Sequence, residues 1–128
     1  MNQSNNGFAI SAQTPAEQLY DLGMIEQLCR GDQEKVKKMV AIFVQQVPLA
    51  IEEIKSAYNK KDFATIKSVV HRIKPTLSYY AVIKIEKDVK LIQALADEGL
   101  STIELELRLT KLTETVTQVV EKMKTDLL

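Results

Sequence analysis

The single histidine, His71, is the side chain in this sequence best suited to chemistry. Neutral imidazole is a nucleophile, and its ordinary pKa of about 6.5 leaves much of it neutral at physiological pH. Lys67, Lys74 and Ser78 lie at helical spacing from it and would project to the same side of a helix. With a phosphoryl group on the ring, Lys74 could neutralise its oxygens, and Ser78 or Thr76 could donate a hydrogen bond.

The segment around His71 has the apolar period of an α-helix. Apolar side chains recur there at steps of three and four, at Phe63, Ile66, Val70, Ile73, Leu77 and Tyr80. An advance of about 100° per residue places His71 roughly 140° from the centre of this stripe. The pattern therefore predicts that the stripe enters a core, that the ring faces solvent, and that Asp62 caps the helix.

Charge is balanced over the chain but not around the histidine. The 128 residues contain 17 basic and 17 acidic side chains, a balance that disfavours a nucleic-acid binder. Eight basic residues stand against three acidic ones between positions 60 and 90: Lys60, Lys61, Lys67, Arg72, Lys74, Lys84, Lys87 and Lys90, against Asp62, Glu86 and Asp88. The neighbourhood of His71 is thus predicted to be basic.

Several classes of site are disfavoured by what the sequence lacks. Cys29 is the only cysteine, so we interpret it as a small core residue in a chain without an internal disulfide. One histidine and one distant cysteine are a poor zinc site, and no glycine-rich phosphate loop is present. We expect no bound metal or cofactor, no autonomous enzyme activity, no signal peptide or membrane span, and a cytoplasmic location.

The remaining segments predict further helices. Residues 1–13 are polar and are predicted to form a mobile tail before a single domain over residues 14–128. A short helix, capped by Thr14 or Asp21 and ended by Gly31, would bury an apolar stripe. A long helix should run from an Asp32 cap to about Asn59, kinked but not broken at Pro48. The predicted stripe of the short helix is Leu19, Leu22, Ile25 and Leu28.

Two more helices complete the pattern. One is predicted from about Lys84 to Asp97, with Gly99 as its stop, and a Ser101–Glu104 capping box would open the last. No strand signal is present, and short links make neighbouring helices antiparallel. We predict an all-α, up-and-down antiparallel four-helix bundle with a short additional N-terminal helix, and expect a monomer, although the apolar spacing fits a dimer as well.

The run His71-Arg72-Ile73-Lys74-Pro75-Thr76 resembles the His-x-x-Lys-Gly-Ser core of histidine phosphotransfer (HPt) domains of two-component phosphorelays. The resemblance covers most of the chain, extending to Tyr20-Asp21-Leu22, Gly31-Asp32, the Phe43 to Pro48 run and Lys61-Asp62-Phe63. It implies that His71 accepts a phosphoryl group from a receiver aspartate and passes it to another receiver. Lys74 would steady that group, and the receiver would supply Mg²⁺.

The resemblance also implies partners, namely receiver domains of response regulators or a hybrid sensor histidine kinase. Predicted contacts are Lys67, Arg72, Pro75, Ser78 and Tyr79. Pro75 replaces the usual glycine and cannot donate to the His71 carbonyl, which would kink the helix or free that carbonyl. Ala81 stands where a later glycine is common, a milder change that should affect how closely a partner approaches and not the chemistry. A non-catalytic adaptor that binds a receiver or kinase without transfer is the alternative interpretation.

Overall fold

The described part of the chain forms five helices. The computed structural model describes residues 18–99 and 102–128, and within these ranges it contains no strand. The helices are α1 (Gly23–Leu28), α2 (Gln33–Asn59), α3 (Phe63–Tyr79), α4 (Ile83–Asp97) and α5 (Ile103–Leu127). The all-α prediction is confirmed, whereas the predicted tail and the Thr14 cap lie outside the described residues.

Helices α2 to α5 form a closed four-helix ring. Helix α3 packs against α2 and α4, and α5 packs against the other sides of α4 and α2, while α1 lies on α2. The turns α2–α3 and α3–α4 are too short to allow anything but antiparallel neighbours. The predicted up-and-down bundle is therefore confirmed, and α3 is flanked by α2 and α4.

Short polar side chains fix where the helices begin. The Asp32 carboxylate accepts from the backbone N–H groups of Glu34 and Lys35, at 3.1 and 3.3 Å. Asp62 accepts from the backbone N–H of Thr65 at 3.1 Å and from its hydroxyl at 2.6 Å, bonds that lower the Asp62 pKa. Both predicted caps are confirmed.

The predicted opening of α5 is wrong. Its N-cap is Thr102, whose extended backbone lets the hydroxyl accept from the Leu105 N–H at 3.0 Å. Glu104 therefore lies too near the cap to be the third helical residue of a capping box, and Ser101 lies outside the described residues. At the start of α1, Asp21 accepts from the Gly23 N–H at 2.7 Å but stands one residue before the N-cap.

The apolar stripe predicted for α3 lies in the core, together with buried apolar side chains of α2 and α5. On α3, Ile66, Val70, Ile73, Leu77 and Tyr80 are buried and Phe63 is half-buried. Helix α2 is unbroken across Pro48. Cys29 is buried as predicted, but Leu28 is 58% exposed, because the six-residue α1 buries only Ile25 of its own side chains.

The C-terminal end of α3 is anchored by an aromatic cluster. The Tyr80 hydroxyl donates to the Met39 carbonyl of α2 at 2.6 Å, and its ring centroid lies 4.7 Å from that of Phe43. The next residue, Ala81, has a φ of 51°, in the left-handed region that disfavours a β-carbon. Ala81 therefore affects this turn through its backbone conformation, and its expected effect on closeness of approach stays a prediction.

We predict that Ala81→Gly raises the free energy of unfolding by about 1 kcal/mol, because glycine adopts a positive φ without the steric cost. Urea denaturation measures the change. The matched control is Ala94→Gly at an exposed position inside α4, which should lower stability by about 1 kcal/mol. A loss of stability in both variants would contradict the conformational role of position 81.

A buried carboxyl group makes stability depend on pH. Asp88 of α4 is 6% exposed, and burial raises its pKa against the opposing influence of Lys111, Arg108 and Lys84. A raised pKa means that the folded state holds its proton more tightly than the unfolded chain does. The contribution of Asp88 to stability is thus largest below its ordinary pKa and is lost as pH rises through the folded value.

Asp88→Asn should therefore melt above the wild type at pH 7, with the difference shrinking as the pH falls toward 4 and the wild-type carboxyl protonates. Thermal denaturation at both pH values measures this. Glu98→Gln, at an exposed position, is the control and should show no such pH-dependent gap. A lower melting temperature for Asp88→Asn at pH 7 would instead indicate that a cation of α4 or α5 pairs with the carboxylate.

Candidate functional site

His71 lies at the midpoint of α3, with eight helical residues before it and eight after it. Its side chain is exposed, whereas Val70 and Ile73 on either side are buried in the core. The predicted orientation of the helix is therefore confirmed. An imidazole ring in this position can reach a group carried by another molecule without any opening of the bundle.

Two of the predicted basic neighbours are paired with carboxylates. Lys67 lies 3.3 Å from the Asp97 carboxylate at the end of α4, and Arg72 forms an ion pair with Glu53 of α2. Exposed pairs of this kind contribute about 0–1 kcal/mol to stability. Their charges are largely compensated within the molecule, so the basic excess at His71 is smaller than residue counting predicted.

Lys74 differs from both. Its Nζ atom donates to the Gln93 amide oxygen of α4 at 2.9 Å, and its side chain is half-buried, although it projects to the same side of α3 as the exposed His71. Because the amide is neutral, and no carboxylate of the described residues lies within 4.0 Å of Lys74, the ammonium group is held in place while its charge stays uncompensated. This role of Gln93 was not predicted from the sequence. The helical spacing of Glu86, Gln93 and Asp97 would have placed the three residues on one side of α4.

The predicted hydroxyl donors face away from one another. Ser78 donates to the Glu86 carboxylate at 3.0 Å, toward α4. Thr76 is half-buried and lines a cavity of about 260 Å³ between α2 and α3, together with Ile42 and Gln46. Neither hydroxyl is brought to His71 by a contact seen here, so their predicted role toward a phosphoryl group stays a prediction.

Pro75 is exposed, and α3 continues through it to Tyr79. Because Pro75 has no backbone N–H, the His71 carbonyl lacks its usual donor four residues later. Whether the helix also kinks at this point stays a prediction. Tyr79 is 45% exposed on the last turn of α3, in contrast to the buried Tyr80. Pro75 and Tyr79 are thus both accessible to a partner that approaches the side of α3 on which His71 lies.

The described residues include no cluster suited to a metal ion. No group of three or more histidine, cysteine, aspartate or glutamate side chains is close enough to bind one within residues 18–99 and 102–128. In the same ranges, no helix combines the length and the apolar character that crossing a bilayer requires.

No protein-family model matches this sequence, and no curated protein matches it either. Among solved structures, the chain is similar to the HPt domain of an Hpt sensor hybrid histidine kinase from Shewanella. The two agree with a TM-score of 0.65 over 82% of this chain and 90% of that domain, at 18% sequence identity. The chain has the fold of an HPt domain.

Large apolar side chains are exposed on α1 and α2. Helix α1 leaves Met24 and Leu28 about half exposed, and α2 does the same with Ile42 and Leu49. Contiguous exposed apolar patches often mark interaction sites, whereas single exposed apolar side chains are common on protein surfaces. Leu28 lies on the surface of α1 instead of in the core.

Proposed function

We propose that this protein is a phosphoryl carrier that exchanges a phosphoryl group between His71 and the aspartates of receiver domains. In the forward step, the unprotonated ring nitrogen forms an N–P bond as the P–O bond of an aspartyl phosphate breaks. The bonding electron pair leaves with the aspartate carboxylate. The reverse step returns the group to the aspartate of a second receiver, so the protein completes no turnover of its own.

One observation carries this proposal: an exposed imidazole halfway along α3, with an uncompensated ammonium group one turn further on. Helical geometry places side chains three residues apart on neighbouring surface positions. Lys74 is therefore suited to neutralise the oxygens of a phosphoryl group on the ring. Because its hydrogen bond to Gln93 already restrains Lys74, less of its side-chain entropy is lost when it contacts that group. The HPt fold supports the same assignment.

The partner must provide the other half of the reaction. We infer that a receiver domain brings the acidic pocket, the Mg²⁺ ion and the acceptor carboxylate, since phosphoryl transfer depends on positioning and charge neutralisation. Lys67, Arg72, Pro75, Ser78 and Tyr79 are proposed as its contacts. Receivers of response regulators or of a hybrid sensor kinase have this chemistry, which would place the exchange in the cytoplasm.

The direct test is incubation with a phosphorylated receiver and Mg²⁺, followed by mass analysis. We expect a phosphoryl adduct on His71 that is labile in acid and stable in base. The exposed Pro75 next to the ring favours a second candidate, a helical adaptor that binds the receiver without transfer. Binding to several receivers with no adduct from any of them would favour the adaptor and contradict the carrier.

Lys74→Met is predicted to slow phosphoryl transfer by roughly 10- to 100-fold, because the ammonium group is lost while the half-buried stem is retained. The bundle should lose about 0.5–1.5 kcal/mol of stability with the Lys74–Gln93 hydrogen bond. Single-turnover transfer and urea denaturation measure the two effects.

Gln93→Glu is the matched test of charge compensation at the same contact. A carboxylate there would hold Lys74 equally well but pair with its charge, so transfer should slow without a loss of stability. Transfer at the wild-type rate in both variants would contradict the role proposed for the ammonium group.

A further inference from the structure

A second surface, between α4 and α5, carries a concentration of positive charge that the proposed function does not use. A cavity of about 320 Å³ lies there, lined by Lys84, Lys87 and the buried Asp88 of α4 and by Lys111 and Glu114 of α5. We refer to this cavity and its lining residues as the basic groove.

The cations of the basic groove form no close ion pair within the described residues, although Lys84 and Lys111 act on the Asp88 carboxyl from a longer distance. Within the described residues, none of its three lysines lies within 4.0 Å of a carboxylate, and the same holds for Arg108, one turn before Lys111. This differs from Lys67 and Arg72 on α3, which are both paired. The ammonium groups are therefore available to the carboxylates of another molecule.

Apolar side chains continue the basic groove toward the other end of α4. Leu91 lies one turn beyond Lys87, and Leu107 lies one turn before Lys111, so antiparallel packing places them at the same end. They are 41% and 63% exposed. The surface thus presents positive charge followed by two leucines along a shallow channel between two helices.

We propose that the basic groove and its leucines bind an acidic amphipathic helix of a partner protein. Glutamate or aspartate side chains of that helix would pair with Lys84, Lys87 and Lys111, and its apolar residues would cover Leu91 and Leu107. Nucleic acid is a poorer occupant, because the chain as a whole has no net charge and two carboxyl groups lie within the groove.

This surface is distinct from the one around His71. Helix α4 directs Glu86, Gln93 and Asp97 toward α3, whereas Lys84, Lys87 and Leu91 lie on the side toward α5. The two surfaces therefore lie on different sides of α4. A receiver at His71 and an acidic partner at the basic groove could be bound at the same time.

The probe for this proposal is a synthetic amphipathic helical peptide with glutamate on one face and leucine on the other. Its binding to the full chain is measured by fluorescence anisotropy, beside the same peptide with glutamine replacing each glutamate. We expect the glutamate peptide to bind at least about tenfold more tightly and to weaken with added salt. Equal binding of both peptides, or no binding, would overturn the proposal.

The charge-reversed variant Lys84→Glu/Lys87→Glu/Lys111→Glu should lose at least about tenfold in affinity for the glutamate peptide. The neutral variant Lys84→Gln/Lys87→Gln/Lys111→Gln tests the same point with less risk to folding, and circular dichroism verifies the bundle in each. Unchanged peptide affinity in folded variants would overturn the proposal.

The matched control is Lys35→Glu/Lys37→Glu/Lys38→Glu, which reverses three exposed lysines of α2 and should leave the affinity unchanged. Competition by duplex DNA or by vesicles of anionic lipid at lower concentration than the peptide would contradict a protein partner. Phosphoryl uptake at His71, measured in the groove variants, should equal that of the wild type, so the two proposals fail independently.

Discussion

His71→Gln is expected to reduce phosphoryl uptake from a phosphorylated receiver to the background level. Glutamine is polar and of similar size, but its amide nitrogen is not a nucleophile, so no N–P bond can form. Because the side chain at position 71 is exposed, the free energy of unfolding should change by no more than about 0.5 kcal/mol. Transfer of label from the receiver and urea denaturation measure the two quantities.

The control for this substitution is Thr110→Gln, which introduces the same residue at an exposed position on α5, the helix diagonally opposite α3. It should take up label as the wild type does. Receiver binding by His71→Gln should persist, since the surrounding surface is intact. A stable adduct in His71→Gln would remove the carrier hypothesis, because a different residue would then be the acceptor.

Phe43→Ala is expected to lower the free energy of unfolding by about 3–5 kcal/mol. Phe43 is fully buried on α2, and its ring contacts Tyr80 at the end of the histidine helix. Truncation removes apolar contact and leaves a cavity that the hydrogen-bonded Tyr80 cannot fill by moving. Against a usual stability of about 5–15 kcal/mol, such a loss is large enough to populate the unfolded state.

Urea denaturation followed by circular dichroism measures the effect of Phe43→Ala. Its control is Ile42→Ala at the preceding position, where the side chain is 57% exposed, and the change should stay near or below 1 kcal/mol. Similar losses for the two substitutions would mean that the face of α2 assigned to the core is wrong. Comparing the loss of unfolding free energy in Phe43→Ala with that in Ile42→Ala therefore tests the packing that fixes α3 against α2.

The exposure of His71 followed from the sequence alone. The steps of three and four from Ile66 to Leu77 define a buried side of α3 without reference to any other helix, and the ring falls outside it. The caps at Asp32 and Asp62 were equally predictable, since each acts within its own first turn. Features of this kind depend on local geometry and on hydrophobic periodicity, which a single segment contains.

The surroundings of His71 could not be read in the same way. That Lys74 is held by the neutral Gln93, while Lys67 pairs with Asp97, depends on the rotation and offset of α4 against α3. The left-handed conformation of Ala81 is likewise required by the turn that joins those two helices. The sequence determined which side of each helix is buried; only tertiary packing decided which polar side chains meet, because that depends on distances between residues far apart in the chain.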